Sequence, residues 1–175
     1  MLDTSHVLDM IADHYHHGLA LHGAQVGVTT LTAAQLYQNF LDNFDPKAVN
    51  FDSCYPKYEQ MRIRIYQLFQ PVDPIGATVE ECWSDFSRKL AQWHESRAIF
   101  EQFCQSWQSI HRKKLASLVC PPNVVRHILS KAGAPLTPQE LEPPISSKEY
   151  DFAVNNGHFI RARFVLSDLL YFLGW

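Results

Sequence analysis

Residues 79–118 read "VEECWSDFSRKLAQWHESRAIFEQFCQSWQSIHRKKLASL". Trp83, Phe86, Leu90, Trp93, Ile99, Phe103, Trp107 and Ile110 recur mostly three and four positions apart. That spacing gathers side chains on one face of an α-helix. The stretch predicts the longest helix of the chain, kinked or divided along its length. Trp83, Trp93 and Trp107 read as core and not as a ligand cage, because they repeat with the helical period.

Outward from this helix the chain is punctuated at short intervals. Ahead of it, "QPVDPIGAT" (70–78) is a break, and Thr78-x-x-Glu81 has the pattern of a capping box for the helix that follows. "YEQMRIRIYQLF" (58–69) predicts a helix with Met61, Ile65, Leu68 and Phe69 on one side. A helix from about Gly23 carries a stripe of Val26, Leu31, Ala34, Leu36, Phe40 and Leu41, and Asp45-Pro46 stops it. Gly27 inside it costs helix stability, so it points to close approach by another backbone or a ligand. The first helix runs from about Thr4 to Tyr15 on Val7, Leu8, Met10 and Ile11. Beyond Leu118, Pro121-Pro122 opens a short helix that ends at Gly133. Thr137-Pro138-Gln139-Glu140 and Ser146-x-x-Glu149 are two further box patterns, and "FIRARFVLSDLLYFLGW" (159–175) ends in one more helix. No run alternates with a period of two. The expectation is an all-α fold, an irregular bundle of about eight helices, with residues 1–175 as a single helical domain.

Of the 175 residues, 46% are hydrophobic, enough to build a core without disulfides. Charged residues are 19%, below the usual quarter, which leaves room for an apolar surface that needs a partner. A net charge of −3 gives no nucleic-acid footprint. The longest apolar runs fall short of the roughly 18 residues of a membrane span. The start shows no basic-then-apolar leader. Cys54, Cys82, Cys104 and Cys120 form no CxxC pair, which predicts reduced thiols in a cytoplasm.

The chemistry is concentrated in "HYHHGLALHG" (14–23), which holds four of the nine histidines. His14, His16 and His17 surround a loop, and His14 and His17 can share a helix face. They read as metal ligands or as solvated loop residues. There is no HExxH and no cysteine nearby to complete a closed zinc motif. His22, just ahead of a helix, can project past the helix end into a cleft. His6 lies sixteen residues upstream in "SHVLDM", and two helices packed side by side would bring His6 and His22 together. Against that stands a plainer reading, in which His6 packs and His22 closes a turn. Arg161 and Arg163 read either as a phosphate-binding pair, through the guanidinium fork, or as solvated arginines, or as partners of a carboxylate such as Asp168.

"SHVLDM" followed by "LHGAQVGVTTL", together with the closing "HFIRARFVLSDLLYFLGW", resembles the helical domain of the sn-glycerol-1-phosphate dehydrogenases. That family belongs to the superfamily of iron-containing alcohol dehydrogenases, glycerol dehydrogenases and dehydroquinate synthases. The resemblance implies the metal-binding C-terminal domain of an enzyme that reduces dihydroxyacetone phosphate with NAD(P)H. In such enzymes a divalent metal (zinc, nickel or iron) polarises the substrate carbonyl. His22 matches the histidine ligand of the "HG" element. His6 matches the histidine that ends the family's H-x-x-S-H element, close to the substrate. Leu2 stands where that element's first histidine would bind metal. The aspartate ligand and the Rossmann-like NAD(P)-binding domain are expected to lie outside this chain, which holds no GxGxxG, so NAD(P) is not expected to bind here.

Two readings of function follow. In one, the chain is the metal- and substrate-side part of a glycerol-1-phosphate-dehydrogenase-like oxidoreductase, inactive alone, whose partner is a separate Rossmann-like domain or a second copy of itself. In the other, it is a stand-alone, non-catalytic helical module for binding or oligomerisation that kept the fold and lost the metal site. A third possibility is a metal site made from His14, His16, His17 and His22 alone. Neither nucleic acid nor a membrane is expected as a partner.

Overall fold

The computed structural model describes residues 2–73 and 75–175. Among them every regular element is helical: α1 (Leu2–His14), α2 (His22–Asn43), α3 (Tyr58–Phe69), α4 (Ala77–Glu95), α5 (Arg97–Gln105), α6 (Arg112–Leu118), α7 (Pro122–Lys131), α8 (Ser147–Asn156) and α9 (Leu166–Leu173). A π-turn, Trp107–His111, joins α5 to α6. Counted as one continuous helical run, α5, the π-turn and α6 bring the total among the described residues to the expected eight. The long helix expected over 79–118 is thus divided, first at Ser96 and again at Ser106. At both positions the serine hydroxyl turns back onto a carbonyl of the preceding turn, Trp93 and Gln102. Such back-bonding bends helices. The division explains why Ile99 and Ile110 fall out of the apolar stripe and are exposed, while Trp83, Trp93 and Trp107 are buried as expected.

The chain forms two compact units. One comprises the residues up to Phe44 with Leu115–Gly157. In it α1 packs on α8 and on α2, and α2 packs on α7. Leu31, Ala34 and Val125 are buried together, with Leu129 and Leu136 against them. Gly27 is approached by a side chain and not by backbone: a β-carbon there would lie 3.2 Å from Leu129 Cδ2. Thr32 Oγ1 and Tyr150 OH, 2.7 Å apart, tie α2 to α8.

The second unit comprises Asp45–Lys114 and His158–Trp175. Its α3 packs on α4. The Trp93 indole stacks at 5.1 Å on Phe172 and at 5.1 Å on Tyr55, and its Nε1 donates to the Cys54 carbonyl at 2.8 Å. Each such aromatic pair is worth about 0.5–1.5 kcal/mol beyond its buried area.

Of the three capping-box patterns, only Ser146–Glu149 forms: the Ser146 hydroxyl accepts from the Glu149 amide, and Glu149 accepts from the Ser146 amide at 3.1 Å. Thr78 is not a cap, because α4 begins one residue earlier. Asp73 takes the role from outside the motif, accepting from the Gly76 and Val79 amides at 3.2 and 2.8 Å. Thr137 opens only a single 3-10 turn, Pro138–Glu140, and the Glu140 carboxylate accepts from the Leu136 amide at 2.8 Å. No described helix is long and apolar enough to cross a membrane.

Candidate functional site

The first unit holds the histidines. His14 is the last residue of α1, and the chain then turns through His16, which takes the left-handed conformation (φ 54°). Tyr15 lies at 4.7 Å from the His14 ring and 5.8 Å from the His17 ring, between the two. His17 also faces Glu149 of α8 across the turn, Nδ1 to Oε1 3.6 Å. Meanwhile the packing of α1 on α2 brings His6 and His22 together, with ring centroids 6.1 Å apart. His22 is the first residue of α2, preceded by the exposed Leu19 (61%) and Leu21 (79%).

A divalent metal of catalytic type needs about three protein ligands and an open position. Among the described residues no group of three or more His, Cys, Asp or Glu side chains converges as a ligand set. His6 and His22 therefore offer two imidazoles and not a complete site, and His14, His16 and His17 do not complete it. No chemical step is assigned to a metal held by this chain alone.

Behind the loop lies a cleft of about 350 Å³. Its walls are apolar, from Leu8, Ile11, Ala20, Pro143 and Ile145. Its polar side chains are those of Gln25, His17 and Glu149. Gln25 is 1% exposed, and its Nε2 donates to Asp9 Oδ1 and to the Ala20 carbonyl, both at 3.2 Å. Its Oε1 is buried without a hydrogen-bond partner. Neither Gln25 nor Glu149 stood out in the sequence as a site residue. Gln25 sits between apolar positions on a helix, which was the available signal.

In the second unit, Arg161 and Arg163 lie in the bend between the 3-10 turn Gly157–Ile160 and α9. The carboxylate suggested for them, Asp168, pairs with Lys89, Nζ to Oδ1 2.7 Å, with both side chains at 0% exposure. Lys89 Nζ also donates to the His158 carbonyl, and at 3.4 Å to that of Arg163. The His158 ring is buried against Phe159 and Tyr171, with neither nitrogen hydrogen-bonded. Burial, with Lys89 and Arg64 as further causes, pushes its pKa down to about 3, so the ring is neutral. Lys89 was legible in principle: it is three residues after Phe86 and four before Trp93, on the buried face of α4.

The cysteines are free thiols, with Cys54, Cys82 and Cys104 buried. Burial raises Cys82 and Cys104 to about 11, which leaves them un-ionised and poor nucleophiles. The chain matches no family model, no curated protein and no solved structure.

Proposed function

We propose that this chain is the helical, metal- and substrate-side part of a glycerol-1-phosphate-dehydrogenase-like oxidoreductase, inactive by itself. The observation that carries the reading is the pairing of His6 with His22 at 6.1 Å, the two histidines that the resemblance sets at the metal and the substrate. The exposed Leu19 and Leu21 beside His22 support it, since a surface that carries them is suited to burial against another domain or a second copy. The Rossmann-like partner supplies NAD(P) and the remaining ligands. The thiols, none of them bonded to another, fit a reducing cytoplasm.

The stand-alone, non-catalytic module is the second reading. It is favoured by the lack of a third ligand near the histidine pair among the described residues.

Zinc and nickel titration of the purified chain, repeated with His22→Ala and His6→Ala, separates the two. The first reading expects weak binding, of the order of millimolar to tens of micromolar (roughly 4–6 kcal/mol), lost in both variants, and no reduction of dihydroxyacetone phosphate by the chain alone. Binding indifferent to both substitutions, or none, sinks it in favour of the second.

A further inference from the structure

We infer that the cleft behind the histidine loop is a binding site for a small primary amine with an apolar body. This does not rest on the dehydrogenase-like reading, because neither His6 nor His22 lines the cleft. The argument is an inventory of donors and acceptors. Gln25 Nε2 is spent on Asp9 and the Ala20 carbonyl, so the amide is held with its oxygen as the remaining group. That oxygen is buried without a partner in a residue 1% exposed. An acceptor taken from water and given nothing in return carries a desolvation cost that a donor removes. Glu149 Oε2 is spent on the capping box, accepting from the Ser146 amide at 3.1 Å and from its hydroxyl at 2.5 Å. This fixes the carboxylate and leaves Oε1 opposite His17.

The polar groups left to the cleft are thus the Gln25 oxygen, an acceptor, and the Glu149 carboxylate with the His17 Nδ1 3.6 Å from its Oε1. No lysine or arginine lines it. A carboxylate or phosphate ligand would find only the His17 ring as a side-chain donor, already turned to Glu149, and would face the carboxylate and the Gln25 lone pair. A protonated amine meets two acceptors, and its apolar body meets Leu8, Ile11 and Pro143. The volume is at the lower end of ligand pockets, which suits a ligand the size of an arylalkylamine.

The test is titration of the full ¹⁵N-labelled chain with phenethylamine and, as a matched probe of opposite charge, phenylacetate. The amine is expected to shift resonances within residues 8–25 and 143–149 and to bind at least about tenfold more tightly than phenylacetate. Glu149→Gln removes the charge and keeps a side chain that closes a capping box; it is expected to weaken the amine about fivefold or more and leave phenylacetate unchanged or improved. Gln25→Met, which removes the acceptor at similar volume, is expected to weaken the amine while circular dichroism confirms the fold. The inference is overturned if neither probe shifts these resonances up to about 10 mM, if both bind equally, or if Glu149→Gln leaves the amine's affinity unchanged.

Discussion

Lys89 and Asp168 face each other at 2.7 Å with neither side chain reaching solvent. The pair joins α4 to the first turn of α9, and Asp168 Oδ2 also accepts from the Val165 amide at 2.8 Å. With the carbonyls of His158 and Arg163 on the same ammonium, one lysine holds three consecutive pieces of the C-terminal segment. Removing one partner strands a buried charge. Lys89→Met is expected to cost about 3–5 kcal/mol in urea unfolding. The double variant Lys89→Met with Asp168→Asn is expected to cost less than Lys89→Met alone, since the substituted amide carries no charge and its oxygen still accepts from the Val165 amide. A double variant no more stable than Lys89→Met would show that the carbonyl contacts, not the ion pair, carry the segment.

His158 makes stability depend on pH. Its pKa falls from the ordinary 6.5 to about 3 on folding. Between those values the unfolded chain binds a proton that the folded chain refuses, so stability rises with pH there. It is complete above pH 6.5 and is lost as pH falls toward 3, by up to ~1.4 kcal/mol per pH unit for one proton. His158→Phe removes the titration and two unpaired ring nitrogens. It is expected to be at least as stable as the parent at pH 7 and clearly more stable at pH 5. Equal slopes for the two proteins between pH 7 and 5 would contradict the assignment.

The helical class was legible because an apolar stripe at helical spacing has few other solutions. "YEQMRIRIYQLF" became α3 with the same ends, Tyr58 and Phe69. That two helices packed side by side would bring His6 and His22 together was open to the sequence as well, beside the plainer reading in which His6 packs and His22 closes a turn; the ring centroids lie 6.1 Å apart. What the spacing did not carry was side-chain competition for the same backbone groups. Ser96 and Ser106 looked like ordinary polar positions, yet they mark the breaks of the long helix. Nor did any local pattern show that Lys89, seventy-nine residues before Asp168 (168 minus 89), pairs with it in the fold. The acceptor of Gln25 depends on where Asp9 and the Ala20 carbonyl lie, which no local pattern encodes.

The capping boxes supply a graded test of the same point. Ser146→Ala is expected to cost about 0.5–2 kcal/mol, because the hydroxyl caps α8 and the box fixes Glu149. Thr78→Ala and Thr137→Ala, in equivalent sequence patterns whose hydroxyls cap nothing, are expected to stay within about 0.5 kcal/mol of the parent. Thermal unfolding of the three variants side by side decides it. Equal losses at all three positions would mean that the sequence pattern, not the realised hydrogen bond, is what matters.

Two glycines separate close approach by backbone from close approach by side chain. A β-carbon at Gly157 would lie 3.1 Å from the Thr4 Cα and the Thr4 amide nitrogen. Neither is free to move, since both belong to α1 where it packs on α8. Gly157→Ala is therefore expected to destabilise by about 1–3 kcal/mol, the usual cost of overpacking. At Gly27 the obstacle is the end of the Leu129 side chain at 3.2 Å, which can turn aside, while alanine gains up to about 1 kcal/mol of helix propensity over glycine. Gly27→Ala is expected to lie between neutral and mildly stabilising. Measured by urea unfolding, the two variants should differ by more than about 1 kcal/mol. A Gly157→Ala protein as stable as the Gly27→Ala protein would mean that α1 and the end of α8 do not meet at the spacing described.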